Sequence, residues 1–164
     1  MARSHPIDET DRRILAELQA DASLTNQQLA ERVGLSASPC LRRVKALEEA
    51  GVIQRRVTLL DRNKLGLSLT ALIHISMDRH TPERFEKFEQ TLKRYPEVQT
   101  CYLITGQQAD YLVIVVVPDM ESYQRFLLEH ITRIEGVTGV HSSFVMRRAV
   151  DSTALPLNYS SASD

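Results

Sequence analysis

Thr25-Asn26-Gln27-Gln28-Leu29-Ala30-Glu31-Arg32-Val33-Gly34-Leu35-Ser36-Ala37-Ser38-Pro39-Cys40-Leu41-Arg42-Arg43-Val44-Lys45-Ala46-Leu47 decides the reading of the first half of the chain. Thr25 and Gln28 stand at capping-box spacing, a hydroxyl at the cap and an amide three residues on. They open a helix that carries Leu29, Ala30 and Val33 inward. Gly34 ends it, because glycine enters the left-handed region at little cost. After a turn of about three residues a second helix starts, capped by Ser36 or Ser38, with Pro39 tolerated only in the first turn. Its core stripe reads Leu41, Val44 and Leu47, with Cys40 beside it. Two short helices joined this tightly have the form of a helix-turn-helix.

Working outward, Ile7, Ile14, Leu15 and Leu18 make one helical stripe behind an Asp8 cap, which gives a third, preceding helix. Gly51 closes the last helix. Val52–Leu60, rich in β-branched and basic residues, reads as extended, so the first unit is a three-helix, winged helix-turn-helix domain over residues 1–60. Residues 61–66 read as a turn and hinge.

The pattern changes in residues 67–150. Strands are expected over 68–77, 97–105, 111–117 and 137–149, and helices over 81–94 and 119–134. Thr81-Pro82 and Pro118-Asp119 start the two helices. The order βαββαβ is ferredoxin-like, so the chain as a whole is α+β. A weak internal repeat fits this, with Phe85, Phe88, Leu92 and Tyr95 in one half answering Tyr123, Phe126, Ile131 and Ile134 in the other. Residues 151–164 form a tail in which Leu155-Pro156-Leu157 is suited to docking on a neighbour.

Formal net charge is −1, which excludes a uniformly basic protein, so any nucleic-acid contact needs a local patch. Such a patch is present. Opposite the core stripe of the third helix lie Ser38, Arg42 and Lys45, flanked by Pro39 and Arg43. Arg55 and Arg56 follow. Between Ser36 and Val57 five basic residues face two acidic ones. Arg and Lys on a helix donate to guanine acceptors in the major groove, while hydroxyls such as those of Ser36 and Ser38 hold phosphates. A charged helix face also arises simply to meet water. The two preceding helices and tight turn tip the reading toward double-stranded DNA. A single small domain of this kind binds weakly, and specificity comes from pairing two of them.

Leu112 to Val117 does not alternate between apolar and polar. Both faces of this strand therefore read as buried, and a second copy of the chain is the economical cover for the face without helices. Before it, Thr105-Gly106-Gln107-Gln108-Ala109-Asp110-Tyr111 sets a glycine, two amides and a carboxylate between apolar strands. A carboxylate pairs with an α-ammonium, and backbone amides beside a glycine receive an α-carboxylate, so the loop suits a zwitterionic amino acid. The same residues equally make a plain hairpin turn. The five histidines have no metal-ligand spacing, and no nucleophile triad, phosphate loop or dinucleotide fingerprint is present, so neither a cofactor nor an enzyme is expected. Two distant cysteines and no apolar run of membrane length point to a reduced, cytoplasmic setting without membrane contact.

Asp8-x-x-Asp11-x-x-Ile14-Leu15, Leu29-Ala30-x-x-Val33-Gly34-Leu35-Ser36 and Pro39-Cys40-x-x-Arg43-Val44-x-x-Leu47-Glu48-x-x-Gly51-x-Ile53 together resemble the Lrp/AsnC (feast/famine) family of transcription regulators. Thr105-Gly106, Asp110-Tyr111 and Pro118-Asp119-Met120 are similar to that family's amino-acid-sensing domain. The resemblance implies dimers through the sheets that assemble into octamers or larger rings, with an amino acid bound between dimers near the loop. It carries Gly106, Asp110 and Tyr111 into the ligand site, and adds Thr132 and Phe144. Many relatives have two residues between the glycine and the aspartate, where this chain has three. The segments around Ser142–Met146 and Ser152–Pro156 are similar to a branch that includes cysteine-responsive regulators. Two other readings share the architecture: a siroheme-decarboxylase-like enzyme, and an architectural DNA-binding protein without a ligand.

Overall fold

The computed structural model describes residues 6–105 and 109–159. The chain divides into two compact units. One runs up to Leu59 and takes in the segment from Val150 onward; the other is Leu60–Ala149.

The first unit holds α1 (Glu9–Ala20), α2 (Asn26–Val33) and α3 (Ala37–Glu49). The expected caps of α1 and α2 form, whereas the expected serine cap of α3 makes no side-chain bond. The Asp8 carboxylate accepts from the Asp11 amide, and Asp11 reaches back to the Asp8 amide; Thr25 and Gln28 do the same for α2. Gly34 ends α2 at φ 71°, a backbone that a side chain would strain. Ile14, Leu15, Leu29, Ala30, Val33, Cys40, Val44 and Leu47 form the core between the helices.

Leu41 is not among them: it is 43% exposed, and Cys40 takes the inward position. Cys40, Val44 and Leu47 follow the i, i+4, i+7 rule, which puts them on one inward face. Val52–Leu60 forms no strand; Val57, Leu59 and Leu60 are exposed without ladder partners. The tail packs on its own helical unit. Leu157 lies against the helical core, and the Gln19 side-chain amide brackets Leu155, donating to its carbonyl at 3.1 Å and accepting from its N–H at 2.7 Å.

The second unit opens on hydrogen-bonded turns over 61–67. It continues through β1 (Leu69–Met77), α4 (Pro82–Leu92), β2 (Val98–Leu103), β3 (Tyr111–Val117), α5 (Met120–Glu129) and β4 (Val137–Phe144). The expected last helix breaks into α5 and a short 3-10 turn, Ile131–Arg133, and β4 stops at Phe144 rather than Ala149. The sheet order is β2-β3-β1-β4, with every pairing antiparallel. This is the ferredoxin-like arrangement.

Alternation along the strands gives the sheet two unequal faces. Tyr111, Val113, Val115 and Val117 of β3, with Ala71, Ile73 and Ile75 of β1, are buried with Phe88 and Leu92 of α4 and Tyr123 and Phe126 of α5. Leu112, Ile114 and Val116 turn the other way and are only half-buried. Tyr102, His74 and His141 share that open face, because the register sets them level with Leu112 across β2, β1 and β4. Among the described residues of this unit, the helices pack on the other face of β3, and its half-buried apolar residues have no helix of the unit against them.

Polar contacts close the far end of this unit. Glu135 is held by Lys87 and Arg84, which keep its carboxyl down at about 2. That contribution to stability is present at neutral pH and is lost as pH falls through the carboxylate range. Gly136 sits at φ 94°, and a methyl group there would lie 2.7 Å from Arg84 Cδ and 2.9 Å from the Asp78 carboxylate. The turn into β4 therefore needs glycine.

Candidate nucleic-acid interface and ligand loop

Three contacts fix α3 from behind. Arg43 Nη1 donates to Asp8 Oδ2 at 2.7 Å and to Asp11 Oδ1 at 2.8 Å. The Asp11 amide chiefly holds the Asp8 carboxyl below its ordinary value; burial pushes it up, and the Arg43 guanidinium lowers it further. Asn26 Nδ2 at the start of α2 donates to the Ala37 carbonyl at 2.8 Å, which sets the angle between the two helices. Arg43 was expected beside the DNA face, and the structure corrects that. Its guanidinium is committed to α1, so it orients the helix and does not present a charge.

Ser38, Leu41, Arg42, Lys45, Ala46 and Glu49 line one shallow groove on the outer side of α3. Arg42 and Lys45 are exposed, and among the described residues neither has an ion-pair partner. Ser36 occupies the N-cap, makes no side-chain capping bond and is exposed, as is Ser38. Pro39 is half-buried in that turn. Arg55 is exposed, while Arg56 pairs with Glu48 at 3.0 Å with both side chains still open to water. Exposed pairs of this kind are weak, and a phosphate competes with them readily. Leu41 is the member of the face that sequence reasoning missed. Its spacing from Ser38 and Lys45 was the available signal, and an exposed leucine there can meet a thymine methyl group.

In the second unit, Gly106, Gln107 and Gln108 lie outside the described residues. On either side of them the loop is anchored. The Asp110 amide donates to the Ile75 carbonyl, and the Ile104 amide donates to the Asp110 carbonyl. Asp110 Oδ2 accepts from the Met77 amide at 2.7 Å, and Oδ1 meets His80 Nε2 at 2.7 Å. Thr105 is exposed at the rim.

Tyr111 is removed from the expected ligand set. It is fully buried beneath α4, packed on Phe85 and Phe88, with its hydroxyl donating to Glu89 at 2.9 Å. Burial first, and then the Glu89 carboxylate, raise its pKa well above the ordinary phenol value, so it stays protonated. Thr132 lies on the 3-10 turn after α5, exposed, with its hydroxyl donating to the Leu128 carbonyl at 3.1 Å. Phe144 ends β4, edge-on to Tyr123.

One chain does not bring all these residues together. Asp110 is bonded to Met77 at the end of β1, whereas Phe144 is level with Ala71. At the usual rise per residue those two points on β1 are about 20 Å apart. A pocket holding both Asp110 and Phe144 needs two copies of the chain.

No group of three or more potential metal ligands occurs among the described residues, and none of their helices is long and apolar enough to cross a membrane.

Comparison with known proteins bears on both units. Residues 7–54 match the model of a winged helix-turn-helix DNA-binding domain, and residues 70–155 match that of the Lrp/AsnC ligand binding domain. The chain is 39% identical over 152 residues to the transcriptional regulator AzlB of Bacillus subtilis (strain 168), covering 93% of this chain and 96% of that one. It is 40% identical over 149 residues to the leucine-responsive regulatory protein of Escherichia coli (strain K12), covering 91% and 90%. Among solved structures, a transcriptional regulator of Neisseria meningitidis in complex with L-methionine superposes with a TM-score of 0.88 at 40% identity, over 93% of this chain and 97% of that one.

Proposed function

The chain belongs to the Lrp/AsnC family of transcription regulators, and from that premise we propose how its own residues divide the work. It is a regulator, not an enzyme, and pairs a helix-turn-helix DNA-binding domain with an amino-acid-binding domain. The siroheme-decarboxylase-like and ligand-free architectural readings gain no support from the relatives.

In the proposed mechanism α3 enters the major groove of double-stranded DNA. Arg42 and Lys45 donate to base edges and Leu41 contacts thymine methyl groups. Ser36, Ser38, Arg55 and Arg56 hold the phosphates on either side, and Pro39 shapes the first turn. The observation that carries this is the outer face of α3, where Arg42 and Lys45 have no ion-pair partner among the described residues, on a helix locked from behind by Arg43.

Two copies pair through the open sheet face around Leu112 and Ile114, and pairs assemble further. The effector is a free amino acid in the cytoplasm. Its α-ammonium is received by Asp110 near Thr105, with Thr132 and a Phe144 from another copy at the rim. Gly106, Gln107 and Gln108 remain part of this proposal from sequence alone. The side chain is read as apolar. The Neisseria regulator holds L-methionine and the Escherichia relative is named for leucine, so these two are the first effectors to test, followed by L-cysteine.

A thermal-shift screen against the twenty amino acids tests the sensing half. A ligand that binds only the folded state stabilises it by about 2.7 kcal/mol at a hundred times its Kd. For a chain of this size that corresponds to a rise of roughly 5–10 °C in the midpoint. We expect such a rise with one or a few apolar amino acids, and its loss in Asp110→Ala. A flat response to all twenty would overturn the effector assignment.

A further inference from the structure

The Asp110 carboxylate is not an open acceptor. One oxygen is spent on the Met77 amide, and the other faces the His80 imidazole. His80 comes from the turn between β1 and α4, and its ring lies 6.0 Å from that of Phe85. It is 68% exposed, whereas the Asp110 side chain is only 21% exposed. The ring is therefore paired with the carboxylate oxygen that the Met77 amide leaves free. It is also the part of the arrangement with room to swing away, because solvent surrounds most of it.

From this geometry we infer that His80 is a pH-sensitive gate on the effector site, its imidazole holding the place that the amino acid's α-ammonium takes on binding. The inference rests on Asp110 being the ammonium acceptor. A protonated imidazole competes for Asp110 as a cation; a neutral one offers a single uncharged hydrogen bond and yields more easily. Asp110 faces the ring directly, and the turn that carries His80 also bears Arg79 and Asp78. The Asp78 carboxylate is held by Arg84 of α4 at 3.1 Å. Phe85 contributes an uncharged ring.

The effector's ammonium and carboxylate keep their charges between about pH 5.5 and pH 8. Histidine is the side chain that changes charge over that interval. Effector binding is therefore weaker on the acidic side. Because the imidazole is largely exposed, the effect is modest, about five-fold.

The test is calorimetric titration of the full chain with L-methionine and L-leucine at pH about 8 and about 5.5, in the wild type, His80→Gln, His80→Ala and Asp110→Ala. The wild type is expected to lose roughly five-fold in affinity on acidification. His80→Gln, which can donate a hydrogen bond but not carry a charge, should show no such loss, and His80→Ala should bind at least as tightly as the wild type at both pH values. The remaining histidines are common to all four proteins, so the difference isolates His80. Parallel pH profiles in the wild type and His80→Gln would overturn the gate while leaving the effector site standing. Undiminished binding by Asp110→Ala, or no binding of either amino acid by the wild type, would remove the effector site and the gate with it.

Discussion

Replacing Arg42 by alanine is expected to weaken binding to operator DNA by roughly five- to a hundred-fold per half-site while leaving the thermal midpoint unchanged. Arg42 projects into the groove on the outer face of α3 and has no partner among the described residues, so its removal costs the folded chain little. A guanidinium facing guanine supplies two parallel hydrogen bonds, and their loss accounts for the size of the effect. Arg43→Ala should behave differently. It strips two ion pairs from Asp8 and from Asp11, whose side chain is only 5% exposed, and leaves that carboxylate short of its cation. Its first effect is a lowered midpoint, with DNA binding falling only as α3 loses its seat. Fluorescence anisotropy at one fixed salt concentration, beside a thermal melt, separates the two adjacent arginines. Equal loss of DNA affinity from both, with equal midpoints, would mean that the outward and inward roles are wrongly assigned.

Ile114→Asp should split the assembly into monomers, and operator affinity should then fall by on the order of a hundred-fold or more. Ile114 belongs to the open face of the sheet, level with Leu72 and Thr100 and away from α4 and α5. In a lone chain an aspartate there meets water. Between two sheets it is a buried charge without a partner, which no interface of this kind tolerates. The affinity follows the assembly, because each chain carries only one reading helix and two linked half-sites bind far better than one. Light scattering coupled to size exclusion reads the mass, and circular dichroism checks that the fold survives. An Ile114→Asp protein of unchanged mass would place the contact between copies elsewhere.

The helix-turn-helix was legible because its signals are local. Thr25, Gln28, Gly34 and Gly51 act on the backbone within a few residues of themselves, and the caps form as their spacing implies. The four strands were legible for a similar reason, since short runs rich in β-branched residues such as Tyr111–Val117 favour strand over helix. The errors fell where a choice depends on residues far away. Arg42 and Arg43 are chemically identical neighbours, and which one turns inward is decided by Asp8 and Asp11, more than thirty positions earlier. Cys40 and Leu41 both fit an apolar stripe with Val44 and Leu47, and the structure turns Cys40 inward and leaves Leu41 exposed.

Tyr111 is instructive in a different way. It stands two residues before Val113 on the strand, so period-two alternation already placed it on the buried side, whatever the loop beside it does. The loop itself gave up its composition but not its wiring. Nothing in the sequence ties His80 to Asp110 thirty residues on, and only the closing of β1 against β3 brings them within 2.7 Å. Phe144 and Asp110 show the converse. Both carry a family resemblance to one ligand site, yet β1 holds them apart along its length, and only a second chain can unite them.

Photochemical cross-linking to the regulator's own upstream DNA, with bromouracil in place of thymine, tests the reading helix most directly. Adducts mapped by mass spectrometry should fall on Ser38–Lys45, with Leu41 foremost, since it is the apolar side chain placed against the thymine methyl position. Adducts confined to the sheet of the second unit or to the tail, with none on that helix, would contradict the account.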